Sequence, residues 1–536
     1  MTGACWKFRR DPLYTHSIEE DPNVDYEMLL RGLRACAERA SKPRTTNLDR
    51  ISKTTKELLE RRRALRLDPN ASHIERLVAK TSCRKALQED LLKYRQKKTL
   101  EAQRRTAQRR TSLKKCRRDL REYNIPQAAL LSEGGTRISS RREMEIITER
   151  FYSNLFRSST PVSSPITPTD EAPPQILPSE VRVAIKSMKP GTAPGPDFIS
   201  ADFLRAGGYP FHVILAAHMT SYLQKERIPD QWNTSRTVLI HKKGDREDLP
   251  NYRPICLLSV LYKIFTKIIL TRISRTLDEA QPQEQAGFGQ GFSCLDHIQT
   301  VSRVIEVLTF VDYEKAFDSV YTNATLSALV DQGVDSSYVR TLANCYDRCT
   351  TRIQLFHRPL TVPIGKIRQG DTISPKLFTA ALQWIMKSLS WEERGIRVDG
   401  RFVSNLRFAD DIVLFSSSTN EAESMLNELN EAGTRIGVRI NRKKTQFMKN
   451  AYCEDGGVQL EGSQIVETSS YVYLSMNMEN DLKEELNRRM RAAWAAAIRE
   501  ATDQLTDQDL RAHLFGSTVL SALCYAADVG RHRCHV

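Results

Sequence analysis

The feature that most constrains the fold is the stretch LRFADDIVLF, residues 406–415, in which two adjacent aspartates interrupt an apolar run. The flanking residues are typical of short buried strands, so the stretch predicts a β-hairpin with Asp410 and Asp411 at its turn. Asn-Gly or Asp-Gly would be the favoured pair in an ordinary turn. Two like charges beside apolar strands repel each other and lose solvent. The pair therefore indicates two carboxylates that are held toward a positively charged partner.

A third carboxylate lies upstream, in LTFVDYEKAFDSV at residues 308–320. This segment predicts a short buried strand that ends at Asp312 and a helix that starts near Tyr313. A strand terminus holds a side chain rigidly, whereas the alternative is that Asp312 only caps the helix. Three carboxylates on neighbouring strands are explained by divalent cations, and oxygen-only ligation favours Mg²⁺ or Mn²⁺ over zinc. Two such ions, about 4 Å apart, activate an attacking hydroxyl and stabilise a leaving oxygen.

The charge balance indicates the partner. The 536 residues include 80 Lys and Arg against 65 Asp and Glu, a net charge of +15. Such an excess favours a polyanion, with nucleic acid before an anionic membrane. No apolar run approaches the roughly 20 residues that span a bilayer, and no secretory signal is evident, so we expect an intracellular protein without a membrane partner. The 11 cysteines form no paired motif, which argues against structural zinc.

Composition divides the chain into four regions. Residues 1–125 are charged and mostly helical, and their most basic part, 91–124, is interpreted as a nucleic-acid-binding arm, a solvated helix or a nuclear localisation signal. Residues 126–178 predict a helix followed by a Pro- and Ser-rich linker. Residues 179–475 alternate between helix and strand spacing, which predicts an α+β body. Residues 476–536 return to helical spacing.

The motifs FVDYEKAFD, RQGDTISP, FADD and INRKKT, in this order, resemble the palm of reverse transcriptases, above all those of non-LTR (LINE-like) retrotransposons. The resemblance covers about residues 177–475. It implies a right-hand polymerase with fingers and palm over 179–475, the palm being an antiparallel sheet backed by helices, and a partial helical thumb over 476–536. It also implies an RNA-directed DNA polymerase, a nucleotidyltransferase that adds deoxynucleotides to a DNA primer 3′-OH on an RNA template.

The resemblance implies roles for four catalytic residues. Asp312 and Asp410 would bind two Mg²⁺ (or Mn²⁺) ions, and Asp411 would complete the carboxylate set. Lys444, in GVRINRKKTQF, corresponds to the lysine proposed to protonate departing pyrophosphate, and lysine is a suitable general acid there. The alternative for Lys444 is an ordinary exposed lysine.

Five further residues are expected to bind the incoming nucleotide. By resemblance, Lys242 and Arg253 hold the triphosphate, because several negative charges require cations. Phe317 corresponds to the bulky residue that crowds a ribose 2′-OH. Gln369 and Gly370 are expected near the nucleotide and template. The alternatives are surface basic residues for Lys242 and Arg253 and a core aromatic for Phe317.

The segment YVYLS, residues 471–475, resembles the primer-gripping hairpin. Departures from the family pattern include Gly289 in place of Arg, Ser475 in place of Gly, a shortened approach to Leu308, and the absence of the Gly-Val that usually precedes Arg368. The chain also lacks room for an endonuclease and ends early. We therefore expect a truncated or decayed copy of a retroelement.

Two alternatives to an active reverse transcriptase remain open. One is a catalytically inactive remnant that binds RNA or DNA through the basic arm and the palm. The other is an RNA-dependent RNA polymerase, against which Phe317 argues, because such an enzyme must accept a 2′-OH. A nuclear location is expected only from the way such elements integrate.

Overall fold

The structure, a computed structural model, describes residues 18–40, 51–68, 71–108, 129–158, 172–287, 297, 300–301 and 307–478, except 133, 243, 357, 399, 451–452, 454–455 and 475. The described residues form two compact units. The main unit lies within 1–40 and 127–478, and the described part of the second unit lies within 41–126. Residues 109–124 of the predicted arm, Gly289, Ser475 and residues 479–536 of the predicted thumb lie outside the described residues.

The second unit contains helices α2 (Lys53–Leu67) and α3 (His73–Gln108). Ser52 caps α2 by accepting a hydrogen bond from the Thr55 amide, and its own amide donates to the Asp90 carboxylate at 2.7 Å. The S-x-x-E pattern at Ser72 and Glu75 forms a reciprocal capping box at the start of α3. The predicted basic arm is therefore helical as far as Gln108.

The main unit mixes helices and strands. Its helices are α1 (Pro22–Ala40), α4 (Arg141–Phe156), α5 (Pro178–Ser187), α6 (Ala201–Ala206), α7 (Gly208–Gln224), α8 (Val260–Glu279), α9 (Ala316–Ser319), α10 (Thr322–Asp331), α11 (Ser336–Tyr346), α12 (Ser374–Met386) and α13 (Thr419–Ile436). Among the described residues, no helix combines the length and apolar composition that crossing a membrane requires.

The strands fall into one five-stranded sheet, one four-stranded sheet and several two-stranded ribbons. Their bounds are β1 (Leu130–Leu131), β2 (Arg137–Ile138), β3 (Thr234–His241), β4 (Tyr252–Leu257), β5 (Val307–Val311), β6 (Thr350–Gln354), β7 (Pro359–Pro363), β8 (Ile396–Val398), β9 (Arg401–Val403), β10 (Asn405–Phe408), β11 (Asp411–Ser416), β12 (Gln446–Met448), β13 (Gln459–Leu460), β14 (Ser463–Gln464), β15 (Val466–Glu467), β16 (Tyr471–Tyr473) and β17 (Met476–Met478). The predicted α+β class is confirmed.

The five-stranded sheet has the order β10-β11-β5-β12-β15 and is antiparallel except where β12 pairs with β15. Its central strand β5 is buried at every position, as an apolar run of this length predicts. Helix α13 packs against β5 and β11, and α12 packs against α13. The sheet is thus held by covered apolar surface, and its strand ends are fixed in place.

The four-stranded sheet has the order β4-β3-β6-β7, with β3 and β6 parallel. The backbone after β7 returns to the edge of β4, where the Cys256 amide donates to the Gln369 carbonyl oxygen at 2.8 Å. Helix α12 begins at Ser374. The helix after β5, however, begins at Ala316, later than the predicted start near Tyr313.

A buried cation anchors the backbone between β7 and α12. The Arg368 side chain is fully buried between the rings of Tyr262 and Tyr346, at 4.9 and 5.1 Å from their centroids. Its Nη2 donates to the Tyr262 hydroxyl, which donates in turn to the Asp371 carboxylate at 2.8 Å. Aromatic faces and a carboxylate compensate for the lost hydration of the guanidinium.

Replacing Arg368 with Met tests this anchor. We expect Arg368→Met to lower the free energy of unfolding by about 3–5 kcal/mol, because Asp371 is left buried without its cation. Urea unfolding measures the change. The matched control Arg352→Met, at an exposed position of β6, should cost less than about 0.5 kcal/mol. Similar losses in both variants would contradict the anchoring role of Arg368.

Candidate active site

The aspartate pair lies on the hairpin formed by β10 and β11. Phe408 pairs with Asp411, so the turn consists of Ala409 and Asp410, and Asp411 is the first residue of the second strand. The turn therefore begins one residue before the predicted Asp-Asp pair. Ala409 has a φ of 59°, in the left-handed region that non-glycine residues adopt at a cost.

Asp312 directly follows β5, the neighbour of β11. Because Ile412 pairs with Val311, extending this register by one residue brings Asp411 opposite Asp312. Opposed residues of antiparallel strands have their Cβ atoms about 4.5–5.5 Å apart. The N-cap of the following helix α9 is Lys315, so Asp312 does not cap it.

The proximity of the three carboxylates affects the pKa of Asp410 and Asp411. Burial, with a further contribution from Asp312, raises the pKa of Asp410. Burial followed by repulsion from Asp410 and Asp312 raises the pKa of Asp411 to about 6, although its side chain keeps an exposed surface. The ionised forms of Asp410 and Asp411 are thus disfavoured unless a cation compensates them.

The turn after α13 holds Asp312 from the other side. The Lys444 Nζ lies 2.9 Å from the Asp312 Oδ2, and the buried Thr445 accepts the Asp312 amide hydrogen through its Oγ1 at 3.2 Å. The Asn441 amide donates to the Asp312 carbonyl oxygen at 2.7 Å. The structure therefore brings Lys444 to the carboxylate site, and half of its side chain remains exposed.

Two predicted triphosphate ligands, Lys242 and Arg253, come from the four-stranded sheet. Lys242 follows β3 and Arg253 lies on β4, and both side chains are exposed. Both counteract the rise in the pKa of Asp410, and Lys242 does the same for Asp411. Their positive charges therefore act on the carboxylate site across the space between the two sheets.

Phe317 lies on α9, soon after Asp312 in the chain. Its ring contacts that of Phe378, with the centroids 4.6 Å apart, and its side chain is half-buried. The fully buried Phe378 belongs to α12. Phe317 thus has a packed side and an accessible side, which is compatible with both interpretations from the sequence.

Gln369 and Gly370 lie where the backbone meets β4. Gly370 has a φ of 108°, and an added Cβ would lie 2.5 Å from the Cys256 carbonyl oxygen, so glycine is required twice over. The Gln369 backbone accepts from Cys256, while its side-chain Oε1 has no hydrogen-bond partner within the described residues.

Asp318 is a charged residue of the site region that the sequence interpretation passed over. Burial raises the pKa of its carboxyl to about 7, and the cations Lys315, Lys366 and Arg253 partly offset this. The signal was available, since Asp318 directly follows Phe317 in the motif KAFD. The electrostatic interaction between the buried Asp318 and Arg253 therefore connects α9 with one of the predicted triphosphate ligands.

The predicted primer-gripping segment is a hairpin of β16 and β17. The Tyr471 ring stacks on Phe310 of β5 at 4.2 Å between centroids. Burial, together with the charges of Asp312 and Asp411, raises the pKa of Tyr471 to about 12. The positive φ in its turn belongs to Leu474, at 46°. The hairpin therefore rests on the strand that carries Asp312.

Oxygen donors and uncompensated negative charge make Asp312, Asp410 and Asp411 suited to a hard divalent cation. In the parts of the chain that the structure describes, no group of three or more His, Cys, Asp or Glu side chains is assembled as a metal site. Asp312 pairs instead with Lys444. The three carboxylates therefore fit a divalent cation in charge and donor chemistry, whereas their side chains are not arranged around a common metal position in the described residues.

Comparison with known proteins identifies the relatives of this region. Residues 240–478 match the reverse transcriptase (RNA-dependent DNA polymerase) family. A transposon-derived protein of Caenorhabditis elegans is 40% identical over 141 residues, 25% of this chain and 50% of that protein. A probable RNA-directed DNA polymerase from transposon BS of Drosophila melanogaster is 25% identical over 413 residues, 69% of this chain and 44% of its own length.

A Pol polyprotein from the type-1 retrotransposable element R2 of Popillia japonica is 26% identical over 297 residues, 52% of this chain and 40% of its own length. The chain spans about half or less of the length of these relatives. The predicted resemblance to reverse transcriptases of non-LTR retrotransposons is confirmed, and residues 240–478 include all the predicted site residues.

Removing one carboxylate charge tests the repulsion at the site. The pKa of Asp411 is raised from 3.8 to about 6 in the folded protein, so its ionisation costs stability as the pH rises through that window. Without divalent cations, we expect Asp411→Asn to stabilise the protein above this window and to have no effect below it. Solvent screening of the exposed side chain limits the gain to about 0.5–1 kcal/mol.

Thermal unfolding at several pH values, with EDTA present, measures this gain. Glu392→Gln, at an exposed position, serves as the control and should show no comparable pH dependence. A loss of stability in Asp411→Asn above the window would contradict the repulsion between the carboxylates.

Proposed function

We propose that this chain is a retroelement-derived RNA-directed DNA polymerase that adds deoxynucleotides to a primer 3′-OH on an RNA template. The observation that carries the proposal is the meeting of Asp410 and Asp411 with Asp312 at the end of one buried sheet. All five strands of this sheet lie within the segment that matches the reverse transcriptase family.

The proposed fold is that of a right-hand polymerase. The five-stranded sheet with α12 and α13 corresponds to the palm, and the β3–β4 hairpin, with Lys242 and Arg253, corresponds to part of the fingers. The hairpin of β16 and β17 is the proposed primer grip, because Tyr471 stacks on the strand that leads to Asp312. Primer and catalytic carboxylates would then share one rigid support.

Asp312 and Asp410 would hold two Mg²⁺ (or Mn²⁺) ions, with Asp411 completing the set. Divalent cations bound there supply Lewis-acid activation of the primer hydroxyl and charge stabilisation of pyrophosphate. The raised pKa values of Asp410 and Asp411 support this assignment, because they indicate negative charge that the protein itself does not fully compensate.

The remaining steps belong to basic side chains of the chain. Lys242 and Arg253 bind the triphosphate, and this is supported by their positive charges, which partly offset the rise in the pKa of Asp410. Lys444, held 2.9 Å from Asp312, is placed to donate a proton to departing pyrophosphate. The phosphates would thus be met by Lys242 and Arg253 from the four-stranded sheet and by Lys444 from the turn at 441–445.

Selection of the nucleotide falls to Phe317, Gln369 and Gly370. Phe317 is supported from behind by Phe378, so it can crowd a ribose 2′-OH without being displaced. Gln369 and Gly370 are fixed against β4 and offer a backbone surface for the nucleotide and template. The RNA–DNA hybrid would be recognised mainly through backbone and shape.

The second candidate is an inactive remnant that binds RNA or DNA. The observation that favours it is the ion pair of Asp312 with Lys444, because the neighbouring carboxylates are not arranged as a metal-binding group among the described residues. The net charge of +15 suits nucleic acid in either case. A nuclear site of action remains a prediction from the sequence.

Primer extension by the full chain decides between the two candidates. With poly(rA)/oligo(dT), dTTP and Mg²⁺, we expect extension that falls at least about 100-fold in the double variant Asp410→Asn with Asp411→Asn, because the cations lose their ligands. The control, Glu392→Gln with Glu393→Gln, neutralises two adjacent exposed carboxylates and should leave extension unchanged. Folded parent protein that binds the hybrid but does not extend it would support the remnant.

Replacing Phe317 with Val tests sugar selection. We expect Phe317→Val to reduce the preference for dTTP over UTP by about 10–100-fold, because the smaller side chain admits a 2′-OH. Phe402→Val, at an exposed aromatic side chain of β9, is the control and should leave the preference unchanged. Equal discrimination in parent and Phe317→Val would favour the core-aromatic interpretation. A parent that prefers UTP would favour the RNA-dependent RNA polymerase.

A further inference from the structure

Residues 284–287 run beside β10 and add hydrogen bonds to the outer edge of the catalytic hairpin. The Arg407 amide donates to the Glu284 carbonyl oxygen at 2.8 Å, and the Ala286 amide donates to the Arg407 carbonyl oxygen at 3.0 Å. Gln285 and Arg407 form a parallel bridge. The segment therefore fixes β10 from the side opposite β11.

The Gln285 side chain reaches the turn itself. Its Oε1 accepts the Ala409 amide hydrogen at 3.1 Å and the Gly287 amide hydrogen at 2.9 Å. The side chain is 2% exposed, so both bonds are shielded from water. Ala409 is the residue with a φ of 59°, and a strained backbone persists only where its surroundings determine it.

Gly287 makes this contact possible. A Cβ built on Gly287 would lie 2.1 Å from the Ala409 nitrogen and 2.8 Å from its Cα, so only glycine allows the two backbones to approach. This requirement is steric and independent of the hydrogen bonds of Gln285. Two separate features of one short segment thus act on the residue before Asp410.

Arg407 anchors the same strand to the core. It is 3% exposed, and its Nη1 donates to the Gln383 Oε1 of α12 at 2.9 Å. Burial lowers the pKa of Arg407 to about 10. The strand that leads into the turn is consequently held on its inner side as well as at its edge.

We propose that Gln285 is a positioning residue, which with Gly287 clamps Ala409 in its left-handed conformation and so fixes Asp410 and Asp411. The inference rests on the proposed nucleotide transfer. It adds to that proposal the residues that hold the carboxylates in position. Gln285 acts through the Ala409 backbone and contacts neither carboxylate in the described hydrogen bonds. Its loss releases the turn, and misplaced carboxylates bind cations and transfer nucleotides poorly.

The test compares two variants. Gln285→Met keeps the side-chain volume but removes the Oε1 acceptor, and Gln283→Met, at an exposed position just before the segment, is the control. Hydrogen–deuterium exchange is measured on the full chain for peptides covering β10–β11 and β5. We expect exchange in the β10–β11 peptide to rise about tenfold in Gln285→Met and to stay unchanged in the control and in β5. Unchanged exchange in the β10–β11 peptide would overturn the clamp.

Two further measurements test positioning. Mn²⁺ affinity, followed by the EPR signal of the free ion, should fall about 10-fold in Gln285→Met. In primer extension, kcat should fall about 10–100-fold while KM for the template-primer stays constant, as for a misplaced catalytic group. Faster exchange with unaltered Mn²⁺ affinity would overturn positioning, and faster exchange in every peptide would assign Gln285 a merely structural role.

Gly287→Ala provides an independent variant if Gln285→Met fails to fold. It should accelerate exchange at β10–β11 and weaken Mn²⁺ binding in the same way, whereas Gly134→Ala, where the nearest atom lies 3.9 Å from the added Cβ, should not. If the parent protein does not extend primers, the proposed function fails. The exchange and Mn²⁺ measurements then still decide whether the clamp exists.

Discussion

The site depends on one constraint, which is the repulsion among three carboxylates at the end of a buried sheet. Asp312, Asp410 and Asp411 are brought together because β5 and β11 pair over a buried and mainly apolar register, so hydrophobic burial overcomes the cost of the assembled charge. Part of that negative charge is offset by Lys444, in the turn at 441–445, and by Lys242 and Arg253, on the four-stranded sheet. The proposed chemistry uses the same imbalance, since a region short of positive charge attracts divalent cations and the phosphates that accompany them.

Rigidity is distributed unevenly around these carboxylates. Asp312 is fixed by a central strand and by three contacts from residues 441–445. Asp410 lies in a two-residue turn whose first member, Ala409, is in an unfavourable conformation. The hairpin end is therefore the part of the site that most needs external support, and Gln285 provides it from a distant segment of the chain. Nucleotide transfer depends on placement within a fraction of an ångström, so such support matters.

Local pattern was enough to predict the hairpin at 405–416 and the buried strand before Asp312, because each has a short apolar run. The resemblance placed Lys444, which the structure brings to Asp312, although its role as an acid stays a prediction. The beginning of the turn at Ala409, the start of α9 at Ala316 and the support by Gln285 were not predictable in this way. Each depends on contacts between distant segments, such as the one between Gln285 and Ala409, which are 124 residues apart and share no periodic pattern.

The ion pair between Lys444 and Asp312 has a consequence for how a cation would bind at the site. An ammonium attached to the chain is present at an effective concentration in the millimolar range or above, whatever the solution contains. It neutralises Asp312 as soon as the turn at 441–445 closes on β5. The folded chain thus supplies a counter-ion for Asp312 from its own sequence. Under the proposed function, a divalent cation that binds Asp312 would therefore replace one positive partner by another.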